Sequence, residues 1–228
     1  LCNLLLVDEI NRASSKTQSS LLEVMEENSV TVDGVTHRIE PPYTVIATQN
    51  PAGSAGTQLL PESQLDRFMV RLSLGYPAME DEVSMLKRKG GENPLEFVSH
   101  VADAGHIREM QKEADSVYAD DDIYAYIAQI AWATRDDTRL HAGASPRASL
   151  ALLSMSKSAA WFAGRDYVIP KDIDAVIFDV LAHRITLNPR ASADGETVCD
   201  VITDIVKKTP RPQILQKKAT AIHRSIGA

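Results

Sequence analysis

The sequence predicts an α/β fold in which part of a parallel sheet, with its helices, is followed by an all-helical domain. Two short apolar runs, at residues 3–8 and 43–48, end abruptly in polar residues, which is typical of strands buried on both faces of a parallel sheet. Beyond about residue 106, the apolar residues recur instead with the spacing of amphipathic helices. The two patterns lie in different halves of the chain and therefore predict two units.

Composition narrows the class of protein. The 228 residues suffice for one large or two modest domains, and the formal charge of -7 disfavours a protein that coats nucleic acid. The two cysteines, Cys2 and Cys199, are too few for a disulfide framework and lack metal-ligand spacing, which favours the reducing cytoplasm. No apolar run approaches the ~20 residues that a membrane-spanning helix needs.

An acid pair follows the first predicted strand, because residues 4–7 are all apolar and lead directly into Asp8 and Glu9. In open α/β sheets, ligands bind in the crevice at the carboxyl ends of the strands. Carboxylates at that position favour a magnesium–nucleotide site. The alternative is a core strand whose acids merely begin a solvated turn, and the isolated pattern supports both interpretations equally.

A helix and a hairpin are predicted next. Ser14 or Ser15 can cap a helix that runs to about Asn28. Residues 30–39 alternate apolar and polar side chains around Asp33-Gly34, a dipeptide typical of a two-residue hairpin turn. The hairpin is either a surface decoration or a projecting loop that touches a partner.

The second strand, 43–48, leads to Asn50, which we expect in the same crevice as the acid pair if the two strands are parallel neighbours. A side-chain amide can orient a water molecule or a γ-phosphate without competing for the metal. Alone, however, an asparagine at a strand end more commonly forms a turn.

A short helix over 60–68 carries Arg67 near its end, ahead of a predicted third strand at 69–74. The planar guanidinium of arginine grips phosphate oxygens at two points, which suits the stabilisation of transition-state charge. The alternative for Arg67 is an ion pair at the helix end with Asp66 or Glu62.

Only one segment of the helical half is a candidate for chemistry. Pro146 opens a long amphipathic helix and places Arg147 in its first turn, where the helix dipole favours anions. There a guanidinium can reach a phosphate on the facing unit; the alternative is a surface arginine beside the helix cap. His183 has no partner at ligand spacing, so we expect no metal role for it.

These segments resemble the AAA+ ATPases and, more narrowly, the MoxR family. The resemblance covers most of residues 3–210 and rests on several spaced motifs. The motifs are LLLVDEINRA, KTQSSLLEVMEE, VTVDGVTHRI, VIATQNP, LPESQLDRFMVRL, GASPRASLALL and HRITLNP.

The resemblance implies a role for each candidate residue. Asp8 would hold a magnesium ion and Glu9, the second Walker B acid, would polarise the attacking water. Asn50 is similar to the sensor-1 residue, which positions that water or the γ-phosphate. Arg67 resembles the arginine finger that a subunit offers to its neighbour's nucleotide, and Arg147 resembles the sensor-2 arginine of the lid.

The resemblance also implies a domain organisation. Residues 1–76 would form the C-terminal part of the AAA+ core, 77–105 a linker, 106–210 a helical lid and 211–228 a basic tail helix. The hairpin resembles the helix-2 insert, which contacts substrate in some AAA+ branches. Arg71 is a weaker candidate for an interface role, and we favour a plain charge at the sheet edge.

One expected element is missing from the sequence. A P-loop ATPase needs a Walker A loop of the form G-x-x-x-x-G-K-S/T, and the nearest glycine-rich segment, 53–57, lacks the lysine. The chain also starts at Leu1 without a methionine, so we expect a fragment with negligible nucleotide affinity of its own. Without the strand of that loop, we expect 69–74 to be displaced or completed by other segments.

The resemblance implies an ATP- and Mg²⁺-dependent ATPase that remodels or assembles client proteins. It further implies a ring-shaped homo-oligomer, expected to be a hexamer, and a client or a von Willebrand factor A-type partner protein. Alternatives are a magnesium-chelatase-like ATPase subunit and a noncatalytic protein-interaction module. A DNA-remodelling AAA+ protein is disfavoured by the acidic balance of the chain.

Overall fold

The computed structural model describes residues 2–49, 60–88 and 94–213. Asn50, the glycine-rich segment 53–57 and the tail from 214 to 228 lie outside the described residues. Within them the chain forms an α/β unit followed by a mainly helical one, which confirms the predicted fold class.

The strands form three two-stranded sheets in the described part of the chain. They are β1 (Leu4–Val7), β2 (Ser29–Val32), β3 (Val35–Arg38), β4 (Thr44–Ala47), β5 (Leu140–Ala142) and β6 (Thr186–Leu187). The pair β1–β4 is parallel, with Leu4 opposite Thr44 and Val7 opposite Ala47. The pairs β2–β3 and β5–β6 are antiparallel. The predicted parallel pairing of the first two buried strands is therefore confirmed.

The helices connect these strands and build the second unit. They are α1 (Ser15–Glu27), α2 (Glu62–Leu65), α3 (Met79–Arg88), α4 (Ala104–Ser116), α5 (Asp121–Asp136), α6 (Pro146–Phe162), α7 (Pro170–Leu181), α8 (Pro189–Ala193) and α9 (Val198–Lys208). Short 3-10 helices span Ile10–Arg12 and Pro94–Phe97. None of the helices in the described part combines the length and apolar character needed to cross a membrane.

Local sequence signals explain the first helix and the hairpin. Ser14 caps α1, since its hydroxyl accepts a hydrogen bond from the Thr17 backbone N–H. Asp33 and Gly34 both adopt positive φ angles, 51° and 78°, between β2 and β3. Two consecutive positive φ angles give a hairpin turn whose twist matches that of the flanking strands, as the Asp-Gly dipeptide predicts.

The expectation that β1 is buried on both faces is wrong for the described structure. Leu5 packs against a small core that contains Ile10 and Leu21, whereas Leu4 and Leu6 are 59% and 65% exposed. Side chains alternate between the two faces of a strand. Within the described residues, α1 covers one face of the two-stranded sheet, and the other face meets solvent.

The predicted third strand at 69–74 is also wrong. In the described structure, residues 70–78 adopt no strand, and Leu72 is 69% exposed. The segment leaves the sheet and runs to the helical unit, where the Arg71 N–H donates to the Asp179 carbonyl of α7 at 2.9 Å. A strand needs a neighbouring ladder, and the described sheet ends at β1 and β4. Arg71 is consequently not a charge at a sheet edge.

The second unit has its own hydrophobic core among α5, α6, α7 and α9. Its fully buried side chains include Ile123, Ile130, Leu152, Ile173, Ile177, Val180 and Ile202. The sequence predicts that this unit is all-helical, but it also contains a two-stranded sheet, because β5 and β6 pair with each other. This ladder joins the loop before α6 to the loop after α7, so it fixes the start of α6 relative to the end of α7.

A buried polar contact, which we call the core–lid latch, joins the two units through Asp66, Ser145, His183 and Arg184. The Arg184 side chain is 2% exposed, and its Nε donates to Asp66 Oδ1 at 3.1 Å. Ser145 Oγ donates to the same carboxylate at 2.9 Å. His183 Nε2 lies 3.0 Å from the Phe68 carbonyl. Burial lowers the pKa of Arg184, and the Asp66 carboxylate opposes that shift.

Shortening a buried side chain in the hydrophobic core of the second unit tests how that core is packed. Ile173 is 0% exposed, so Ile173→Ala should lower the free energy of unfolding by about 2–5 kcal/mol through lost burial and a residual cavity. Phe178→Ala, at a 40% exposed position of the same helix, should cost markedly less. Urea denaturation monitored by circular dichroism measures both. Equal losses would contradict the described packing of α7.

Acid sensitivity tests the latch. Burial, the largest cause, lowers the pKa of His183 from its ordinary 6.5, Arg184 and Arg71 add to that shift, and the Phe68 carbonyl and Asp66 oppose it. Because the folded pKa lies below the unfolded one, the unfolded chain binds more protons as pH falls below about 6.5, and stability is lost there.

His183→Gln should therefore reduce the fall in melting temperature between pH 7 and pH 5, whereas His37→Gln, at an exposed position in β3, should leave the fall unchanged. A pH dependence identical in wild type and His183→Gln would show that His183 is not buried neutral in the folded chain.

Candidate functional site

The acid pair lies where parallel strands end. β1 ends at Val7 and β4 at Ala47, directly opposite each other, so Asp8 and Thr48 leave the sheet at the same edge. The ladder continues one step further, with the Thr48 N–H donating to the Val7 carbonyl at 2.9 Å and the Ile10 N–H to the Thr48 carbonyl at 3.0 Å. The first candidate residues are therefore fixed by backbone pairing of both strands.

The Thr48 hydroxyl joins both members of the pair. It accepts a hydrogen bond from the Glu9 backbone N–H at 2.9 Å and donates to Asp8 Oδ1. One short side chain thus orients the Asp8 carboxylate and holds the backbone of the turn that carries Glu9. The sequence analysis does not select Thr48, although its position at the end of a predicted strand is a usable signal.

Glu9 has an unusual backbone conformation. Its φ and ψ angles are 49° and 51°, in the left-handed region that residues other than glycine rarely adopt. Such a conformation turns the chain sharply out of β1 into the 3-10 helix. The Glu9 carboxylate lies 3.1 Å from Arg12 Nε, and both side chains are exposed enough for this ion pair to be weak.

Several buried polar atoms near the acid pair in sequence have no hydrogen-bond partner among the residues that the structure describes. Asn11 is 5% exposed, and both its Oδ1 and Nδ2 are unpaired; Gln49 Nε2 is unpaired as well. Buried polar groups are normally paired, so this edge has unused capacity to donate and accept. Asn50, which follows Gln49, lies outside the described residues.

The two candidate arginines meet at one carboxylate that the sequence analysis had not selected. Arg67 Nη1 pairs with Oε2 of Glu26, and Arg147 Nη2 pairs with Oε1 of the same residue. Arg67 therefore pairs with neither Asp66 nor Glu62, the two partners considered from the sequence. Glu26 belongs to the last turn of α1, and nothing local in its sequence marks a contact across 41 residues.

The position of Arg147 follows from how α6 begins. Ser145 caps the helix by accepting from the Ala148 N–H, and Pro146 takes the first position, where no backbone donor is needed. Gly143 lies so close to α5 that an added Cβ would approach the Thr134 carbonyl to 2.7 Å. The helix start is thus packed tightly on α5, which directs Arg147 toward α1.

The position of Arg67 follows from the latch. Asp66 is held by Arg184 and Ser145, and the next residue, Arg67, extends from the turn after α2 toward Glu26 of α1. Arg184 also donates to the Met69 carbonyl at 3.0 Å. The segment that carries Arg67 is therefore attached to the helical unit on one side and to Glu26 on the other.

The candidate residues form two groups, Asp8 with Glu9 at the sheet edge and Arg67 with Arg147 at Glu26. No hydrogen bond or ion pair links the two groups within the described residues. The donor set at the sheet edge, a carboxylate beside a hydroxyl, suits Mg²⁺, which takes one or two protein carboxylates and fills its other positions with water and phosphate. Residues 2–49, 60–88 and 94–213 contain no cluster of three His, Cys, Asp or Glu side chains that could enclose a metal.

Two family models match the chain. The model described as "ATPase family associated with various cellular activities (AAA)" matches residues 1–70, and the "AAA lid domain" matches residues 132–205. The acid pair and Arg67 lie in the first match, and Arg147 and the latch arginine lie in the second.

Full-length relatives extend this similarity. The chain is 42% identical over 210 residues to YeaC of Bacillus subtilis, covering 92% of this chain and 66% of that protein. It is 38% identical over 223 residues to chaperone MoxR1 of Mycobacterium tuberculosis, covering 94% of this chain and 59% of that protein. The chain thus spans roughly three fifths to two thirds of the length of these curated relatives.

The same similarity extends to three dimensions. A crystal structure from Cytophaga hutchinsonii, of a protein to which ATPase activity has been attributed, superposes with a TM-score of 0.86 at 35% identity. The superposition covers 92% of this chain and 67% of that one. Family models, relatives and structure agree, and the chain belongs to the MoxR family of AAA+ ATPases.

Proposed function

We propose that this chain carries the hydrolytic residues of an ATPase that remodels or assembles client proteins in a ring-shaped homo-oligomer. The observation that carries the proposal is the acid pair held by Thr48 at the carboxyl edge of a parallel strand pair. Such an edge is where open α/β sheets bind their ligands. The family supports ATP as that ligand.

Asp8, with the Thr48 hydroxyl beside it, would hold Mg²⁺. The ion, when bound, supplies positive charge that offsets the charge on the β- and γ-phosphates. Asp8 is suited to this role because it is solvent-exposed and its orientation is set by Thr48, so it needs no rearrangement of the strand to accept a partner. The amide of Asn11, three residues further along, has no partner among the described residues and offers further hydrogen bonds.

Glu9 would orient the attacking water and accept its proton. For this the carboxylate must exchange Arg12 for the water, which the weak, exposed ion pair permits. The left-handed backbone turns this side chain away from the line of β1, so the two acids of the pair serve different partners. Asn50 would help to position the same water.

The two arginines would stabilise negative charge on the phosphates. Arg147 would act within its own subunit, from the first turn of α6, and Arg67 would act on the nucleotide of a neighbouring subunit. Guanidinium groups suit both tasks because they donate in a fixed fork that matches phosphate oxygens. A hexameric ring would place one subunit's Arg67 at every nucleotide.

The hairpin is the proposed contact with clients. Val32 and Val35, beside the hairpin turn, are 51% and 57% exposed, which gives the hairpin an apolar tip. Such a tip fits an unfolded or partly folded client, or a von Willebrand factor A-type partner. We expect the 228 residues alone to bind ATP with negligible affinity, because their sequence contains no G-x-x-x-x-G-K-S/T loop.

Substitution of the proposed base tests the activity. In the full-length protein, Glu9→Gln should lower kcat for ATP hydrolysis about a hundredfold or more while ATP still binds, since the amide cannot accept the proton. Glu27→Gln, at an exposed position of α1, serves as the control and should keep wild-type turnover. Wild-type turnover by Glu9→Gln in a steady-state phosphate-release assay would refute the proposal.

Subunit mixing tests whether Arg67 acts on a neighbour. Arg67→Ala and Glu9→Gln proteins should each be inactive alone. When they are mixed in equal amounts, about a quarter of the interfaces in a ring combine an intact Glu9 site with an intact Arg67 from the neighbour, so activity should return. Absence of any recovery after confirmed subunit exchange would place Arg67 outside the catalytic interface.

A further inference from the structure

Glu26 lies at a position where its negative charge is locally unfavourable. It belongs to the last turn of α1, where the helix dipole disfavours anions, and the basic residues common in last turns are absent there. Glu27 occupies the same turn. Among the ion pairs of the described residues, Glu26 contacts both Arg67 and Arg147, whereas none involves Glu27. The negative charge of Glu26 is therefore stabilised by its ion pairs with Arg67 and Arg147, and not by the helix to which it belongs.

The cluster of Glu26 with the two arginines carries a net positive charge and unused donors. Each guanidinium has five N–H donors, and one nitrogen of each is engaged by a Glu26 oxygen. Arg67 Nε is buried and has no hydrogen-bond partner in the described part of the chain. An additional anionic oxygen would therefore find free donors here, and a phosphate offers the same planar pairs of oxygens that a carboxylate does.

The cluster also joins the two units of the chain. Glu26 comes from α1, Arg67 from the segment fixed by the latch, and Arg147 from the first turn of α6. The Glu26 side chain is 33% exposed and the Arg147 side chain is 50% exposed, so their contact can be exchanged without breaking the buried core. Arg67, at 30%, is more enclosed.

We propose that Glu26 is a positioning residue of the ATPase site, which holds Arg67 and Arg147 on one carboxylate and loses Arg147 to a phosphate oxygen of bound ATP. Glu26 then remains with Arg67 alone, so occupation of one subunit's site changes the surroundings of the arginine that serves the neighbouring site. This inference rests on the proposed function, since it takes Arg147 as the residue that reaches the nucleotide.

Competition between Glu26 and phosphate for Arg147 predicts the direction in which removal of Glu26 changes the Kd for ATP. Because binding of ATP must displace Arg147 from Glu26, removal of the carboxylate should tighten binding. Exchange of one exposed ion pair predicts a Kd about threefold lower. A residue that merely stabilised the fold would weaken binding or leave it unchanged when substituted.

The test uses the full-length protein in the Glu9→Gln background, so that binding is measured without hydrolysis. Calorimetric titration with Mg-ATP should give a Kd about threefold lower for Glu9→Gln/Glu26→Gln than for Glu9→Gln. Glu9→Gln/Glu27→Gln is the matched control, from the same helical turn, and should bind like its parent. If Glu26→Gln does not fold, Glu26→Asp, which is too short to hold both arginines, replaces it with the same expectation.

Repeating the comparison in an Arg147→Gln background completes a double-mutant cycle between Glu26 and Arg147. There, Glu26→Gln should leave the Kd unchanged, because the group that it competes for is gone. A Kd that Glu26→Gln does not lower, or lowers equally without Arg147, overturns the inference while the proposed function stands. Failure of Glu9→Gln to bind Mg-ATP at all would instead overturn the proposed function, and the inference with it.

Discussion

The arrangement of both units depends on the buried ion pair between Asp66 and Arg184. The Arg184 side chain is 2% exposed and that of Asp66 is 19% exposed, so each charge needs the other. Removal of one partner from such a pair leaves an uncompensated buried charge, which costs about 3–5 kcal/mol. Asp66 immediately precedes Arg67, and Ser145, which shares its carboxylate, lies two residues before Arg147. One contact thus sets the starting points of both candidate arginines.

The candidate site is built from two kinds of support. The acid pair depends on backbone pairing at the ends of β1 and β4, with one hydroxyl, from Thr48, as its side-chain link. The arginines depend on side chains from distant parts of the sequence. The first kind of support is rigid, because it continues a sheet. The second is exchangeable, because its outer ion pairs are part-exposed, which suits the change of partners that we propose for these residues when a nucleotide binds.

Local patterns explain what could be predicted from the sequence. Asp33-Gly34 fixes a hairpin turn, Ser14 caps α1, and Pro146 opens α6, and each acts through neighbours within four residues. The predictions that are wrong concern residues whose structural partners lie far away in the sequence. An apolar run such as 69–74 has strand propensity, but propensity cannot supply the ladder that a strand requires. The pairing of Arg67 with Glu26 likewise depends on tertiary packing, so the sequence indicated the arginine but not its partner.

Arg184 contacts residues 66–69 mainly through their backbone carbonyls. Besides Asp66 Oδ1, its guanidinium donates to the carbonyls of residues 66, 68 and 69, at 3.1, 2.6 and 3.0 Å. Every residue type supplies a carbonyl, so substitution of the half-exposed Met69 would leave these bonds intact. The latch thus constrains position 184 strongly and position 69 weakly. Relatives could therefore vary the surface beside Arg67, which we propose faces a neighbouring subunit, and so change subunit specificity, without altering how the two units are joined.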